Sequence, residues 1–191
     1  MSNGKGLLIV YAGASGVGKG TVLKKVLEAD KNIRLSVSAT TRKPRDGEQN
    51  GREYYFISEP EFEKLKENEG LLEYATYCNN NYGTPKKPVY DMLEKGLDVV
   101  LEIEINGFLQ IKDKYPECIT IFVLPPSWEV LENRLKGRGT ESEEEIKARL
   151  DRAKEEMEFA NKFNYKILND DADRAANEIL SIINNIKNNN K

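Results

Sequence analysis

Apolar residues along this chain occur in two alternating kinds of run. Leu7-Leu8-Ile9-Val10-Tyr11-Ala12 is continuous and bounded by glycine, the pattern of a strand buried on both faces. From Thr21 to about Ala29 the apolar positions Val22, Leu23, Val26 and Leu27 recur at helical spacing and share one face. Between them lies Gly13-Ala14-Ser15-Gly16-Val17-Gly18-Lys19-Gly20-Thr21, so the chain opens as strand, glycine loop, helix. Leu35 to Ile57 holds hydroxyl residues, Arg42 and Arg45 on either side of Pro44, and Gly47 and Gly51, which predicts short strands and turns. Ser58-Glu59-Pro60-Glu61 is a capping-box pattern opening a helix that ends near Gly70. Leu71 to Cys78 alternates moderately, and Asn79-Asn80-Asn81 reads as a turn.

Further on, Pro88 opens a helix through about Lys95, closed by Gly96. Val99 to Ile105 reads as a strand that carries Glu102 and Glu104 on one face. Ile119–Leu124 is another buried strand, stopped by Pro125-Pro126. A helix from about Ser127 carries Arg134 and Arg138 one turn apart. Thr140-Glu141-Ser142-Glu143 predicts a second capping box, opening a long charged helix to about Phe163. Tyr165–Leu168 is a last short strand, and a helix from Asp171 fades into an Asn/Lys tail, from Asn184 on, that is expected to fray. Strands alternating with helices predict an α/β fold around a parallel sheet, and no segment repeats.

Bulk composition narrows the classes of function. A chain of 191 residues with 39% apolar and 32% charged positions suits one soluble domain with a sizeable core. The longest apolar run, Leu7 to Ala12, is too short to span a membrane, and Lys5 alone precedes it, so no secretory leader is indicated and a cytoplasmic location is expected. Cys78 and Cys118 are then expected to stay reduced. With 29 Lys and Arg against 32 Asp and Glu there is no basic footprint for nucleic acid. The chain has no histidine, which excludes Ser-His-Asp and Cys-His nucleophile systems, His-ligated zinc and imidazole proton shuttles.

Gly13-x4-Gly18-Lys19 matches the phosphate-binding loop in all but its last position. Glycines let successive backbone N–H groups turn in around a phosphate. The helix that follows points its positive end at the same place, and Lys19 adds a compact cation. The residue after Lys19 in such loops is usually Ser or Thr, whose hydroxyl reaches magnesium; here it is Gly20, followed by Thr21. No direct protein ligand to metal is therefore expected. Mg²⁺ would be held through phosphate oxygens and water.

Five segments in order carry a resemblance to a family: GASGVGKGT, SVSATTRKPRDGEQNGREYYF, LLEYATYCNNNYGT, LEIEING and RLKGRGTESEEEIKARL. Together they resemble the guanylate kinases, nucleoside-monophosphate kinases that use ATP to phosphorylate GMP, over about residues 6 to 187. The resemblance implies a single domain of the P-loop NTPase type, three-layered around a parallel sheet. Its core would be about residues 1–36, 90–128 and 160–191, with a mixed β/α GMP-binding lobe at about 37–89 and a helical lid at about 129–159. Along the chain it implies an ATP site at Gly13, Ala14, Ser15, Gly16, Val17, Gly18, Lys19, Gly20 and Thr21, with Asn169 near the base. Arg42 and Arg45 would take the GMP phosphate, with hydrogen bonds from Tyr54 and Tyr82. Ser38, Glu73, Thr84 and Glu104 fall on the guanine-reading positions, and carboxylates and hydroxyls do complement guanine's N1–H, N2–H₂ and O6.

Two positions depart from the family pattern. Glu104 stands where the family usually has Asp, and Asn106 where many relatives have Gln. Glu102, the first acid of that run, would join the GMP site, order water around magnesium, or pair with Lys19 or an arginine. Arg134, Arg138 and Arg149 correspond to lid arginines; Arg134 and Arg138 would bind ATP, and all three, with Lys19 and Arg42, would do the catalytic work. Trp128 and the remaining tyrosines are expected to pack. The implied reaction is ATP and GMP giving ADP and GDP, with no nucleic-acid or membrane partner. Monomer and homo-oligomer stay equally open. Two other readings compete: a kinase for another nucleoside monophosphate, or a non-catalytic guanylate-kinase-like module that binds protein. A P-loop GTPase would need an Asn-Lys-x-Asp run, which is absent.

Overall fold

The computed structural model describes residues 5–77, 79–137 and 142–189. Its elements are β1 (Leu8–Gly13), α1 (Lys19–Ala29), β2 (Ile33–Leu35), β3 (Ser38–Thr40), β4 (Tyr54–Phe56), α2 (Glu59–Glu67), β5 (Leu71–Tyr77), β6 (Asn80–Pro85), α3 (Lys86–Glu94), β7 (Asp98–Glu102), α4 (Ile105–Lys114), β8 (Ile119–Leu124), α5 (Trp128–Lys136), α6 (Glu143–Glu158), a 3₁₀ turn (Ala160–Lys162), β9 (Tyr165–Leu168) and α7 (Ala172–Asn189). A five-stranded parallel sheet runs in the order β2-β7-β1-β8-β9, and a separate four-stranded sheet in the order β4-β3-β6-β5. This is the α/β class expected from the alternation.

The chain divides into two compact units, one made of the described residues of Tyr11–Ile33 and Ile119–Lys191, the other of those of Gly4–Val10 and Arg34–Cys118. In the first, β8 and β9 pair in parallel from Ile121↔Tyr165 to Leu124↔Leu168. The start of that pair is fastened by Asn164, whose Oδ1 accepts from Thr120 N–H (3.1 Å) and Oγ1 (2.8 Å) while its own N–H donates to Thr120 Oγ1 (2.8 Å). Helix α7 packs on α1, burying Ala175, Ala176, Ile179 and Ile183 from one and Val22, Leu23 and Val26 from the other.

In the second unit β3 pairs in parallel with β4, and β6 lies antiparallel between β3 and β5. Ser58 caps α2 as expected: Glu61 N–H donates to Ser58 Oγ (3.4 Å) and Ser58 N–H to Glu61 Oε2 (2.8 Å). Cys118 is a buried free thiol, while Cys78 lies outside the described residues.

Several boundaries differ from the sequence reading. The strand expected over Val99 to Ile105 ends at Glu102, and Glu104 becomes the N-cap of α4. Glu102 and Glu104 therefore do not share a strand face. The cause is that Gly107, Phe108 and Ile111 bury at helical spacing, and Ile105 belongs to that helix while extending the apolar run of the strand. The second capping box is Ser142 with Glu145, two residues beyond the expected frame: Glu145 N–H donates to Ser142 Oγ (3.2 Å) and Ser142 N–H to Glu145 Oε2 (2.7 Å). Thr140-x-x-Glu143 and Ser142-x-x-Glu145 both fit the pattern, and the helix takes the later frame. Thr140 and Glu141 lie outside the described residues, as does Arg138, expected one turn beyond Arg134. Strand β6 was not anticipated; Asn79, at φ 58°, makes the tight turn before it. Helix α3 starts at Lys86 rather than Pro88, and α7 stays helical to Asn189.

Candidate active site

The phosphate-binding loop leaves β1 at Gly13 and closes into α1. Gly18 is the N-cap of α1 with φ 92°, in the left-handed region open to glycine. A Cβ there would stand 2.8 Å from the Asn169 side-chain nitrogen. Conformation therefore favours the glycine, and a side chain there would also have to displace the Asn169 amide. Helix α1 starts with Thr21 N–H and Val22 N–H donating to Gly18 C=O. The Lys19 ammonium folds onto the loop itself, donating to Gly13 C=O (2.7 Å) and Ala14 C=O (3.2 Å).

Two expected residues meet at Val17. Arg134 donates from Nη1 to Val17 C=O and from Nη2 to Asn169 C=O, each at 3.0 Å. Asn169, 4% exposed, donates its amide to the same Val17 carbonyl at 2.8 Å. Arg149 donates from Nε to Ser15 Oγ at 3.3 Å. Lys19, Arg134, Arg149 and Asn169 are thus gathered around one loop. Gly20 has no atom within 4 Å of where a side chain would begin, and Thr21 beside it is exposed. Among the described residues no group of three or more Asp, Glu or Cys is placed to hold a metal ion.

In the other unit, β3, β4, β5 and β6 each place an expected nucleotide contact. Ser38 opens β3 in register with Tyr54 on β4, and Thr40 on β3 stands opposite Tyr82 on β6. The Tyr54 and Tyr82 rings meet edge to face at 5.9 Å, with the Arg42 guanidinium over Tyr54 at 5.4 Å. Arg42, its side chain 15% exposed, also pairs with Glu48 at 2.9 Å. The other Glu48 oxygen accepts Arg45 N–H at 2.7 Å, so one carboxylate ties both arginine positions together. Those two contacts, Arg42 first, hold the Glu48 carboxyl below the usual glutamate range. Burial pushes the Tyr54 hydroxyl up, with the Arg42 charge acting against it.

Glu73 occupies an irregular stretch of β5. Leu71 pairs with Pro85 and Tyr74 with Gly83, so β5 carries one residue more than β6 over this interval. Such a bulge re-aims side chains, and here Leu71, Leu72 and Glu73 are buried in succession. Glu73 is 5% exposed and accepts a 2.6 Å hydrogen bond from the fully buried Thr84 hydroxyl. Burial pushes its carboxyl up; Thr84 pulls it back, and the Glu104 charge raises it further. Helix α4 holds the bulge in place. Gln110 donates to Tyr74 C=O (2.7 Å) and accepts from Tyr74 N–H (3.2 Å), while Lys114 donates to Leu72 C=O (3.3 Å). On the same helix Gly107 lies against Glu73, where a Cβ would come within 2.5 Å of Oε2. Glu102 and Glu104 are exposed, and both bear electrostatically on this pocket, on Tyr54 and Glu73 respectively.

Glu48 and Gly107 lie in the segments that carry the resemblance, but no role is read for them there, and Gln110 lies outside those segments. Gly107 and Gln110 would have stood out, at helical spacing with Lys114, had α4 been recognised. Glu48 carried a signal as part of the resembling segment, but none for its pairing with Arg42 and Arg45.

A strand, a glycine loop and a helix, beside a parallel sheet, define a P-loop nucleotide-binding protein of the α/β class. The comparisons are more specific. The family model "Guanylate kinase" matches residues 5–186. A guanylate kinase of Caldanaerobacter subterraneus subsp. tengcongensis is 53% identical over 179 residues, 94% of this chain and 87% of that protein. One from Clostridioides difficile is 52% identical over 184 residues, 96% of this chain and 90% of that protein. The crystal structure of guanylate kinase from Anaplasma phagocytophilum superposes with a TM-score of 0.75 at 34% identity, covering 94% of this chain and 85% of that one. The chain belongs to the guanylate kinase family.

Proposed function

We propose that the protein is a guanylate kinase that transfers the γ-phosphoryl group of ATP to GMP. A GMP phosphate oxygen attacks Pγ, the bond from Pγ to the β-phosphate oxygen breaks, and ADP leaves with the electron pair. The GMP phosphate is already anionic near neutral pH, so no imidazole is needed to accept a proton, in keeping with a chain that has none. The catalytic work is alignment and charge neutralisation. In this reading Lys19 exchanges the Gly13 and Ala14 carbonyls for phosphate oxygens. Arg134, Arg138 and Arg149, in a lid of about 129–159, stabilise the charge on the passing phosphoryl group. Arg42, Arg45, Tyr54 and Tyr82, in a lobe of about 37–89, hold the GMP phosphate.

The buried Glu73–Thr84 pair carries the guanine assignment. A carboxylate held there accepts the N1–H and N2–H₂ of guanine, and Ser38, Thr84 and Glu104 complete the reading of the base. Adenine presents an unprotonated N1, so it would leave these buried groups unpaired, which a polar site rejects strongly. Magnesium, when bound with ATP, would supply charge neutralisation at the phosphates. With no side chain at Gly20 the residues present suit a metal held through phosphates and water, with Thr21 the next residue along the chain to carry a hydroxyl.

ADP release measured across GMP, dGMP, AMP and dTMP tests the assignment: turnover of AMP equal to that of GMP would refute it. A non-catalytic binding module is disfavoured by the retention of Lys19 within an intact phosphate loop. No described helix is long and apolar enough to cross a membrane, and a cytoplasmic site of action is part of the proposal.

A further inference from the structure

The peptide unit joining Ala14 to Ser15 is held at both ends. Its carbonyl accepts from Val17 N–H at 3.1 Å and from Lys19 Nζ at 3.2 Å, so it faces into the loop. In a trans peptide the N–H points the opposite way. The Ser15 N–H therefore faces away from those partners, and its acceptor is Glu156 Oε2 on α6, at 2.7 Å. The other Glu156 oxygen takes Arg152 Nε at 3.4 Å, one turn back on the same helix, and the carboxylate is 14% exposed. Two turns before Glu156, Arg149 donates to the Ser15 hydroxyl at 3.3 Å. Helix α6 thus grips Ser15 twice, at its hydroxyl through Arg149 and at its backbone through Glu156.

We propose that Glu156 is a positioning residue of the phosphate-binding loop: by holding the outward Ser15 N–H it fixes the Ala14–Ser15 peptide in the orientation that shapes the loop, and it ties that shape to α6. The inference rests on the reading of this loop as the ATP site. Glu156 touches no reacting atom. Without it the peptide can rotate, and the carbonyl that restrains Lys19 rotates with it. The cost then falls on ATP binding and not on GMP.

Steady-state kinetics with each nucleotide varied in turn, together with amide hydrogen exchange at Ser15 in the nucleotide-free protein, test this. Glu156→Ala is expected to raise KM for ATP about tenfold, the scale of one hydrogen bond to a charged group, with KM for GMP within about twofold. Ser15 N–H should exchange faster in that variant. Glu156→Gln keeps an acceptor oxygen and should restore KM for ATP to within about threefold of wild type. If alanine unfolds the chain, Glu156→Met, which preserves bulk and helix propensity, takes its place and should show the same rise in KM for ATP and the same faster Ser15 exchange. Tighter ATP binding in Glu156→Ala would overturn the proposal by showing the carboxylate to be a competing anion. A fall in kcat with both KM values and Ser15 exchange unchanged would overturn it by showing a role in folding alone. Wild-type protein that forms no GDP from ATP and GMP would refute the parent reading and the inference with it; a working wild type matched by Glu156→Ala refutes the inference alone.

Discussion

Replacing Gly107 by alanine adds a methyl group to α4 at a single place, against the Glu73 carboxylate. The new Cβ would lie 2.5 Å from Oε2, 3.0 Å from Cδ and 3.3 Å from Cγ of Glu73. Relief requires the carboxylate to withdraw by about 1 Å, since overpacked contacts of this kind displace side chains from their minima. Glu73 cannot withdraw freely, because Thr84 Oγ1 holds Oε1 at 2.6 Å inside the protein. A shift of that size stretches the bond to roughly 3.6 Å, at which it no longer counts as one. A displaced carboxylate also misses the guanine N1–H and N2–H₂, and losing one such charge-assisted bond, about 1.5–3 kcal/mol, should lower kcat/KM for GMP about 10–100-fold. KM for ATP should not move. The stretched Thr84 bond costs about 1.5–3 kcal/mol of stability and the helix's preference for alanine returns about 1 kcal/mol, so melting should fall by only a few degrees. A double-mutant cycle isolates the cause: in a Glu73→Ala background the methyl group has nothing to strike, and Gly107→Ala should then cost nothing more. Unaltered GMP kinetics in the single variant, or the same loss in both backgrounds, would refute the reasoning.

Glu73→Gln separates stability from recognition. Burial raises the Glu73 pKa, so its stabilising contribution is present below the ordinary glutamate range and lost as pH rises through the raised value. The glutamine variant should therefore melt higher than wild type at pH above the raised value, with the gap closing in acid, while it turns over GMP poorly; a gap independent of pH would contradict this. Glu48→Ala releases Arg42 and the Arg45 backbone together and should raise KM for GMP about fivefold or more without affecting ATP, an effect that shrinks with added salt. Ser58→Ala removes the cap of α2 and should lower the melting temperature by about 2–4 °C, read by calorimetry, with kinetics unchanged.

What could be read from the chain was local. The strand, phosphate loop and helix at Leu8 to Ala29 are signalled by residues adjacent to one another, and β8 and β9 have the bounds the sequence indicates, β8 stopping at Pro125 and β9 lying between Asn164 and Asn169. What was hidden depends on two elements at once. The irregularity that buries Glu73 is a difference in residue count between β5 and β6, and neither strand alone displays it. Glu156 is one acid among many on α6 until Ser15 is placed against it. Helix α4 was masked because the apolar run of β7 continues into its first turn.

Gly107 nevertheless left a trace. Glycine within a helix costs about 1 kcal/mol relative to alanine, so a glycine in the first turn of α4 is a local loss. The loss becomes intelligible only when the Glu73 carboxylate is seen in the space that a side chain would fill. Residues that weaken their own element while the element still forms mark places where another part of the chain sets the requirement. In this protein that place is the buried acid assigned to the guanine base.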